Sequence, residues 1–306
     1  MAGLQHEFLD VNGIKIHVVS TGRDPSKPLM LLVHGFPECW YSWRHQMREF
    51  AGEYEVVAMD MRGYGESDKP QGAASYAAHI LASDVRGVAM ALGRTHIDLL
   101  VGHDWGGAVC WYTAGIYGTS LIRKLSIIAA PHWGLYFKNL DFSQALASWY
   151  MLLFKAPLLP EVMLMADDAA VIGGMFTPGG PGGPVTPGCM DSSDIEVYKQ
   201  ALQRPGAVTA ALNYYRASLG PRDVSPEAEQ ARIAMKRRIS IPTLVLWGEK
   251  DTALLPHLNN GLDQVCLDSR VVVLPGCSHW VQQDKPAETN ALLRQFLLKG
   301  NKLSAL

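Results

Sequence analysis

Val101-Gly102-His103-Asp104-Trp105-Gly106-Gly107 is the stretch whose residue types and spacing could do chemistry most directly. A glycine stands two positions before Asp104 and another two positions after it. This spacing is typical of a nucleophile elbow, a turn from strand to helix so sharp that flanking side chains would clash. A carboxylate at the apex of such a turn can attack carbon and become an ester. The competing interpretation is an aspartate that only caps the helix.

Two later stretches could supply partners for Asp104. Gly248-Glu249-Lys250-Asp251 follows one apolar run, and Gly276-Cys277-Ser278-His279-Trp280 follows the last one. Nucleophile, acid and then histidine is the chain order of the triad in α/β-hydrolases. We therefore expect His279 to act as a general base and Asp251 to orient it and balance its charge. Glu249 is the nearest competitor for the role of Asp251.

His34-Gly35-Phe36-Pro37 follows a further apolar run and predicts an oxyanion hole. In this type of fold one backbone N–H comes from the loop after the third strand, and another comes from the residue after the nucleophile. Those donors would be Phe36 and Trp105. The alternative is an ordinary turn that Pro37 makes rigid.

The elements that must position these residues alternate between strand and helix. Asn12-Gly13 separates two alternating segments and predicts a hairpin with a type I′ turn. Apolar runs typical of buried strands follow at 28–33, 54–60, 97–101, 122–129, 242–248 and 269–274. Segments with apolar residues at helical spacing lie between several of these runs. The helical patterns cover 43–50, 76–92 and 287–298. The fold class is therefore α/β, with a mostly parallel sheet covered on both faces.

The alternation stops at Pro131 and resumes near residue 239. We interpret 131–238 as a helical lid inserted into a core made of 1–130 and 239–306. Residues 145–154 and 207–219 have helical patterns, and Ser193-Asp194-Ile195-Glu196 fits a capping box. Gly179-Gly180-Pro181-Gly182-Gly183-Pro184 cannot hold helix or strand and predicts a mobile loop.

With these motifs the chain resembles the epoxide hydrolases of the α/β-hydrolase superfamily, nearly from end to end. The resemblance rests on the stretches around Phe36, Asp104, Asp251 and His279 and implies an eight-stranded sheet. It also implies two lid tyrosines that hydrogen-bond the epoxide oxygen. By similarity these are Tyr150, in Trp149-Tyr150-Met151, and Tyr215, in Asn213-Tyr214-Tyr215-Arg216, where Tyr214 is the alternative.

The implied reaction opens an epoxide to a vicinal diol through an alkyl ester on Asp104, which water activated by His279 then hydrolyses. It requires no metal or cofactor, so none is expected. Phe36, Trp105 and Trp280 would make the pocket apolar, which suggests small lipophilic epoxides as substrates. The alternatives are a carbon–halogen hydrolase related to haloalkane dehalogenases and a hydrolase fold that only binds a ligand.

Composition excludes several other classes of function. The 306 residues carry a net charge of −2, which argues against a nucleic-acid partner. Five scattered cysteines favour neither disulfides nor a zinc site. No signal peptide or membrane-spanning run is visible, so we expect a cytoplasmic protein, and a homodimer is compatible with this interpretation. Leu303-Ser304-Ala305-Leu306 only faintly resembles a peroxisomal address.

Overall fold

The computed structural model describes residues 3–221 and 223–298, and these residues form one eight-stranded sheet. The strand order is β1-β2-β4-β3-β5-β6-β7-β8. The strands are β1 (Gln5–Val11), β2 (Ile14–Ser20), β3 (Leu29–Val33), β4 (Glu55–Met59), β5 (Leu99–His103), β6 (Leu125–Ile128), β7 (Thr243–Gly248) and β8 (Ser269–Leu274).

The sheet is antiparallel at one edge and parallel elsewhere. β1 and β2 form the predicted hairpin, and Asn12 and Gly13 both have the positive φ that its turn requires. β2 also runs antiparallel to β4, whereas β3 to β8 are parallel to one another. Because parallel strands share a direction, the segments that follow β3, β5 and β7 emerge at the same edge of the sheet.

Helices cover both faces, as the alternating pattern predicts. The core helices are α1 (Arg44–Phe50), α2 (Ala78–Ala91), α3 (Trp105–Tyr117), α11 (Val281–Asp284) and α12 (Pro286–Leu298), numbered with those of the insert described next. Apolar side chains of α2 and α3 pack on one face and those of α1 and α12 on the other. Every residue of β3, β4 and β5 is buried, which explains their largely apolar sequences.

The segment between β6 and β7 is helical, as predicted for the lid. Its helices are α4 (Trp133–Lys138), α5 (Phe142–Ala147), α6 (Trp149–Lys155), α7 (Leu159–Phe176), α8 (Ser192–Gln203), α9 (Ala207–Ser218) and α10 (Pro226–Ala234). The prediction of one helix over 145–154 is wrong, because the chain breaks at Ser148 between α5 and α6. The Ser148 hydroxyl accepts hydrogen bonds there from Gln144 and Tyr136.

Two boundaries also differ from the sequence prediction. The capping box of α8 uses Asp191 and Asp194, not Ser193 and Glu196. The earlier aspartate accepts the amides of Ser193 and Asp194, so the helix begins sooner than predicted. The strand predicted over 122–129 is only the shorter β6, and Ile122 makes just an isolated bridge to Ile97.

Among the described residues, no single helix is long and apolar enough to cross a membrane. α6 and α7 reach that length and composition only as a pair, which is bent by 104°. The peroxisome-like segment 303–306 lies outside the described residues.

Candidate active site

Asp104 lies at a sharp elbow between β5 and α3, with φ 48° and ψ −120°. A Cβ on Gly102 would lie 2.5 Å from the Gly106 carbonyl oxygen, and one on Gly106 would lie 2.2 Å from the Val33 carbonyl oxygen. Only glycine fits at either flank, which is the reason for the spacing seen in the sequence. The Asp104 side chain makes no capping hydrogen bond to α3. The interpretation of Asp104 as a simple helix cap is therefore wrong.

The Phe36 amide faces this carboxylate. It donates a hydrogen bond of 2.7 Å to Oδ1 of Asp104, from a loop in which the Phe36-Pro37 peptide bond is cis. Within residues 3–221 and 223–298, no hydrogen bond joins the Trp105 amide to the carboxylate. Trp105 is the first residue of α3, where backbone N–H groups have no partner inside the helix. The structure thus brings the Phe36 amide to Asp104, while Trp105 stays a predicted second donor.

His279 lies between two carboxylates. Its Nδ1 is 2.8 Å from Oδ2 of Asp251, and its Nε2 is 3.7 Å from Oδ2 of Asp104. The other oxygen of Asp251 accepts the amides of Ala253 and Leu254, at 2.9 Å each. The Asp251 side chain is fully buried. Because its own position is fixed by these two amides, Asp251 can hold the imidazole in one orientation.

The charges around His279 raise its pKa. Burial alone would lower the pKa, but the interactions with Asp251 and Asp104 outweigh it and raise it from 6.5 to about 10. The imidazole is therefore protonated at neutral pH. Removing the charge of Asp104 would lower the pKa of His279 again.

Tyr150 of α6 and Tyr215 of α9 face the elbow from the helical segment between β6 and β7. Their rings meet edge to face with centroids 6.2 Å apart, and Tyr215 lies edge-on to Trp105 at 5.0 Å. Burial raises the pKa of both phenols well above 10, and the charge of Asp104 raises it further. Both hydroxyls are therefore neutral and able to donate a proton or a hydrogen bond.

Tyr214 points elsewhere, although it is adjacent in sequence. Its hydroxyl donates a hydrogen bond of 2.7 Å to the Arg62 carbonyl, and its ring packs against Tyr64 and Tyr76. Consecutive residues of a helix face different directions, so only one of this pair can face the cavity. In this structure that residue is Tyr215.

Two cavities meet at Asp104, Tyr150 and Tyr215. One, the Trp105 cavity, has an empty volume of about 440 Å³ and extends to Trp133, Tyr136, Met151 and Leu254. The other, the Trp280 cavity, has an empty volume of about 950 Å³ with its open mouth included and contains Phe36, Phe154, Met175, His279 and Trp280. Asp104, His279, the two tyrosines and the predicted lining residues therefore line two adjacent cavities with mostly apolar walls, whereas Asp251 lies behind His279 and lines neither.

Comparison with known proteins shows the family of this chain. Residues 28–165 match the family model of the α/β-hydrolase fold. Epoxide hydrolase 3 of Xenopus tropicalis is 36% identical over 96% of this chain and 78% of its own length. Human epoxide hydrolase 4 is 36% identical over 94% of this chain and 76% of its own length. This chain also superimposes on the crystal structure of a mutant epoxide hydrolase from Bacillus megaterium complexed with its product, with a TM-score of 0.82. The two sequences are 30% identical, and the match covers 96% of this chain and 100% of the other.

The chain belongs to the epoxide hydrolases of the α/β-hydrolase fold.

In this epoxide hydrolase Glu249 is not placed to replace Asp251. It is exposed, and its Oε2 accepts the amide of Gly276 at 2.8 Å. It therefore stabilises the start of the loop that carries His279 but does not contact the imidazole.

Sequence reasoning missed two carboxylates that hold the site of this epoxide hydrolase. Oδ2 of Asp284 accepts the amide and hydroxyl of Ser278, next to His279, while Oδ1 accepts the amides of Val185 and Thr186 in the lid. Glu38 binds His103, the residue before the nucleophile. Glu38 directly follows the Phe36-Pro37 motif and could have been singled out by that position. Asp284 has no local signal beyond its place shortly after His279.

Proposed function

We propose that this epoxide hydrolase works through a covalent ester on Asp104. In the first step Oδ2 of Asp104 attacks one carbon of the epoxide, and the bond between that carbon and the ring oxygen breaks. The proposal is supported by the contact of Oδ1 with the Phe36 amide, which leaves Oδ2 as the freer nucleophile. The product of this step is an alkyl ester with an alkoxide on the neighbouring carbon.

Tyr150 and Tyr215 assist ring opening as acids. The leaving oxygen stays attached to the substrate, so it needs hydrogen bonds that strengthen as negative charge develops, and then a proton. Both phenols are neutral because burial and the Asp104 charge raise their pKa. One phenol gives its proton to the alkoxide.

Esterification of Asp104 then prepares His279 to act as a base. The ester is uncharged, so one of the two carboxylates that raise the pKa of His279 is lost. His279 releases its proton, which reprotonates the phenolate left by ring opening, so that both phenols are neutral again. A neutral imidazole oriented by Asp251 is the form that can activate water.

Hydrolysis completes the cycle. Water attacks the carboxyl carbon of Asp104 as His279 takes its proton, and the Phe36 and Trp105 amides hold the oxyanion. The tetrahedral intermediate collapses, and the diol oxygen leaves with the proton from His279. The second proton of the water, left on the Asp104 carboxyl group, passes to His279, which restores the Asp104 carboxylate and the imidazolium. The overall reaction consumes only the epoxide and one water molecule.

We infer that the substrates are lipophilic epoxides. The support is the apolar lining of both cavities, including Phe36, Trp105 and Trp280. The related Bacillus megaterium enzyme mutant is complexed with a naphthyloxy-propanediol product, which is apolar on one side of the diol. We further propose that 131–238 acts as a lid. A cytoplasmic location and a homodimer stay predictions from the sequence.

The observation that carries this proposal is the convergence of Asp104, His279, Tyr150 and Tyr215 on one cavity. The test is diol formation from a panel of small lipophilic epoxides by the wild type, with Asp104→Asn and Tyr215→Phe as comparison variants. Diol formation that both variants impair supports the proposal. Halide release from bromoalkanes that Tyr215→Phe leaves unchanged would favour a carbon–halogen hydrolase instead.

A further inference from the structure

Gln144 of α5 is a fully buried polar side chain that the mechanism above does not use. Its Nε2 donates hydrogen bonds to the Ser148 hydroxyl at 2.7 Å and to the Ala253 carbonyl oxygen at 2.9 Å. Its Oε1 accepts the Leu255 amide at 2.8 Å. Both ends of the side-chain amide therefore have partners, which fixes the amide in one orientation.

The 251–255 loop, which follows β7, is held to the core without the help of Gln144. Two of its amides donate to the Asp251 carboxylate, at 2.9 Å each. The Leu254 carbonyl oxygen accepts the indole N–H of Trp247, a buried residue of β7, at 2.8 Å. The loop is therefore a fixed support, and Gln144 attaches the helical segment between β6 and β7 to it.

The other end of this attachment is the start of α6. Ser148 is the break between α5 and α6, and Tyr150 is the second residue of α6. Among the described residues, none accepts a hydrogen bond from the Tyr150 hydroxyl, whose ring packs on Phe154 and Tyr215. The start of α6 therefore decides where this phenol lies, and the hydrogen bond from Gln144 to Ser148 holds that start in place.

We propose that Gln144 is the positioning residue for Tyr150 in ring opening. The inference rests on the proposed function, in which Tyr150 donates to the epoxide oxygen. Gln144 joins the loop of Asp251, which contacts His279, to the helix of Tyr150, and so sets the phenol relative to Asp104. Because a reacting group displaced by about 1 Å can lose about 10²-fold in rate, this contact controls ester formation.

Loss of the Gln144 side-chain amide would move the start of α6 for a simple reason. The Leu255 amide and the Ala253 carbonyl oxygen would lose their partner, and a buried polar group without a partner is costly. The loop is anchored in the core, so the change that relieves this cost falls on α5 and the start of α6. A purely structural role for Gln144 would lower stability alone, whereas a positioning role predicts a kinetic loss that depends on the Tyr150 hydroxyl.

The test is a double-mutant cycle in the full chain with Gln144→Leu and Tyr150→Phe, because leucine fills the site but makes no hydrogen bond. The readout is single-turnover kinetics with styrene oxide as the probe. Gln144→Leu should slow ester formation by about 10- to 30-fold and ester hydrolysis by no more than about threefold. In the Tyr150→Phe background the same change should slow ester formation by no more than about twofold, because no hydroxyl is left to misplace.

Gln46→Leu is the matched control. Gln46 is also a fully buried glutamine, and its Nε2 donates to Asn290 at 2.8 Å between α1 and α12. This change should lower the free energy of unfolding and leave ester formation unaltered in both backgrounds. Ser148→Ala removes the acceptor at the other end of the contact and should show the same dependence on Tyr150, so the test remains available if Gln144→Leu does not fold.

Equal losses of ester formation with and without the Tyr150 hydroxyl would overturn the positioning role. Slower hydrolysis with unchanged ester formation would overturn it too, because Gln144 would then act on the 251–255 loop. If Tyr150→Phe is slow but Gln144→Leu has the wild-type rate, the inference fails and the proposed function stands. If Tyr150→Phe itself forms the ester at the wild-type rate, the role of Tyr150 in the proposed function fails, and the inference fails with it.

Discussion

The Phe36 amide nitrogen and Oδ1 of Asp104 lie 2.7 Å apart, so one oxygen of the proposed nucleophile already contacts a proposed oxyanion donor in the absence of substrate. The other oxygen, Oδ2, faces Nε2 of His279 at 3.7 Å. The two oxygens of this carboxylate thus have different surroundings. In the proposed mechanism this asymmetry makes Oδ2 the attacking atom and Oδ1 the atom that becomes the oxyanion during hydrolysis.

Replacing Asp104 by asparagine should abolish turnover. An amide is a poor nucleophile, so we expect diol formation to fall by about 10⁴-fold or more. The melting temperature should stay close to that of the wild type, because the side chain keeps its shape at the elbow. Residual diol formation within about tenfold of the wild type would contradict a nucleophilic Asp104.

Replacing His279 by glutamine should separate the two half-reactions. Ester formation needs Asp104 and the phenols, whereas hydrolysis needs the general base, whose loss typically costs about 10²–10⁴ in rate. We therefore expect the ester to accumulate. Mass spectrometry of the intact variant after exposure to epoxide should show one added substrate mass, located on Asp104. A variant that turns over slowly without any adduct would argue against this order of steps.

Tyr215 and Tyr214 offer a matched comparison of neighbouring phenols. Tyr215→Phe removes a donor to the epoxide oxygen and should slow ester formation by about 10²-fold, with Tyr150 still in place. Tyr214→Phe removes the hydrogen bond to the Arg62 carbonyl and should cost about 1 kcal/mol of stability without slowing ester formation. The checks are single-turnover kinetics and urea unfolding. Equal kinetic losses in both variants would contradict the assignment of Tyr215.

Stability should fall as pH rises above neutrality. The pKa of His279 is raised in the folded protein, from 6.5 to about 10, so its protonated form favours folding. This contribution is fully present below about pH 6.5 and is lost as the pH rises through about 10. Urea unfolding of the wild type should therefore show lower stability at pH 10 than at pH 7. In His279→Gln this part of the pH dependence should be absent; an unchanged slope would contradict the raised pKa.

The parts of the molecule predicted from sequence are those set by local rules. The elbow around Asp104 and the Asn12-Gly13 hairpin depend on backbone conformations that only certain residues adopt, so spacing reveals them. Asp104, Asp251 and His279 each follow a strand of the parallel part of the sheet. Because the ends of parallel strands share one edge, their positions in the sequence predict that they meet. The resemblance predicts Tyr215 rather than Tyr214 as the second lid tyrosine. Consecutive residues of a helix face different directions, which explains why only Tyr215 lines the cavities.

Other features depend on contacts between distant parts of the chain. Glu38 and His103 are 65 residues apart and meet only because β3 and β5 are neighbours. The break at Ser148 depends on hydrogen bonds from Tyr136 and Gln144. α7 was not predicted, and its backbone departs from helical geometry at 166–169, which disturbs any helical pattern there. No local pattern carries this information.

The central claim concerns the oxygen that is added to the epoxide. In the first turnover this diol oxygen comes from the Asp104 carboxylate, and the other diol oxygen is that of the epoxide. A single turnover with excess enzyme in ¹⁸O-labelled water, followed by mass spectrometry of the peptide that contains Asp104, tests it most directly. The account predicts that label enters the Asp104 carboxylate and that the first diol released is unlabelled. Label in that first diol, with none in Asp104, would mean that water attacks the epoxide directly and would contradict the ester mechanism.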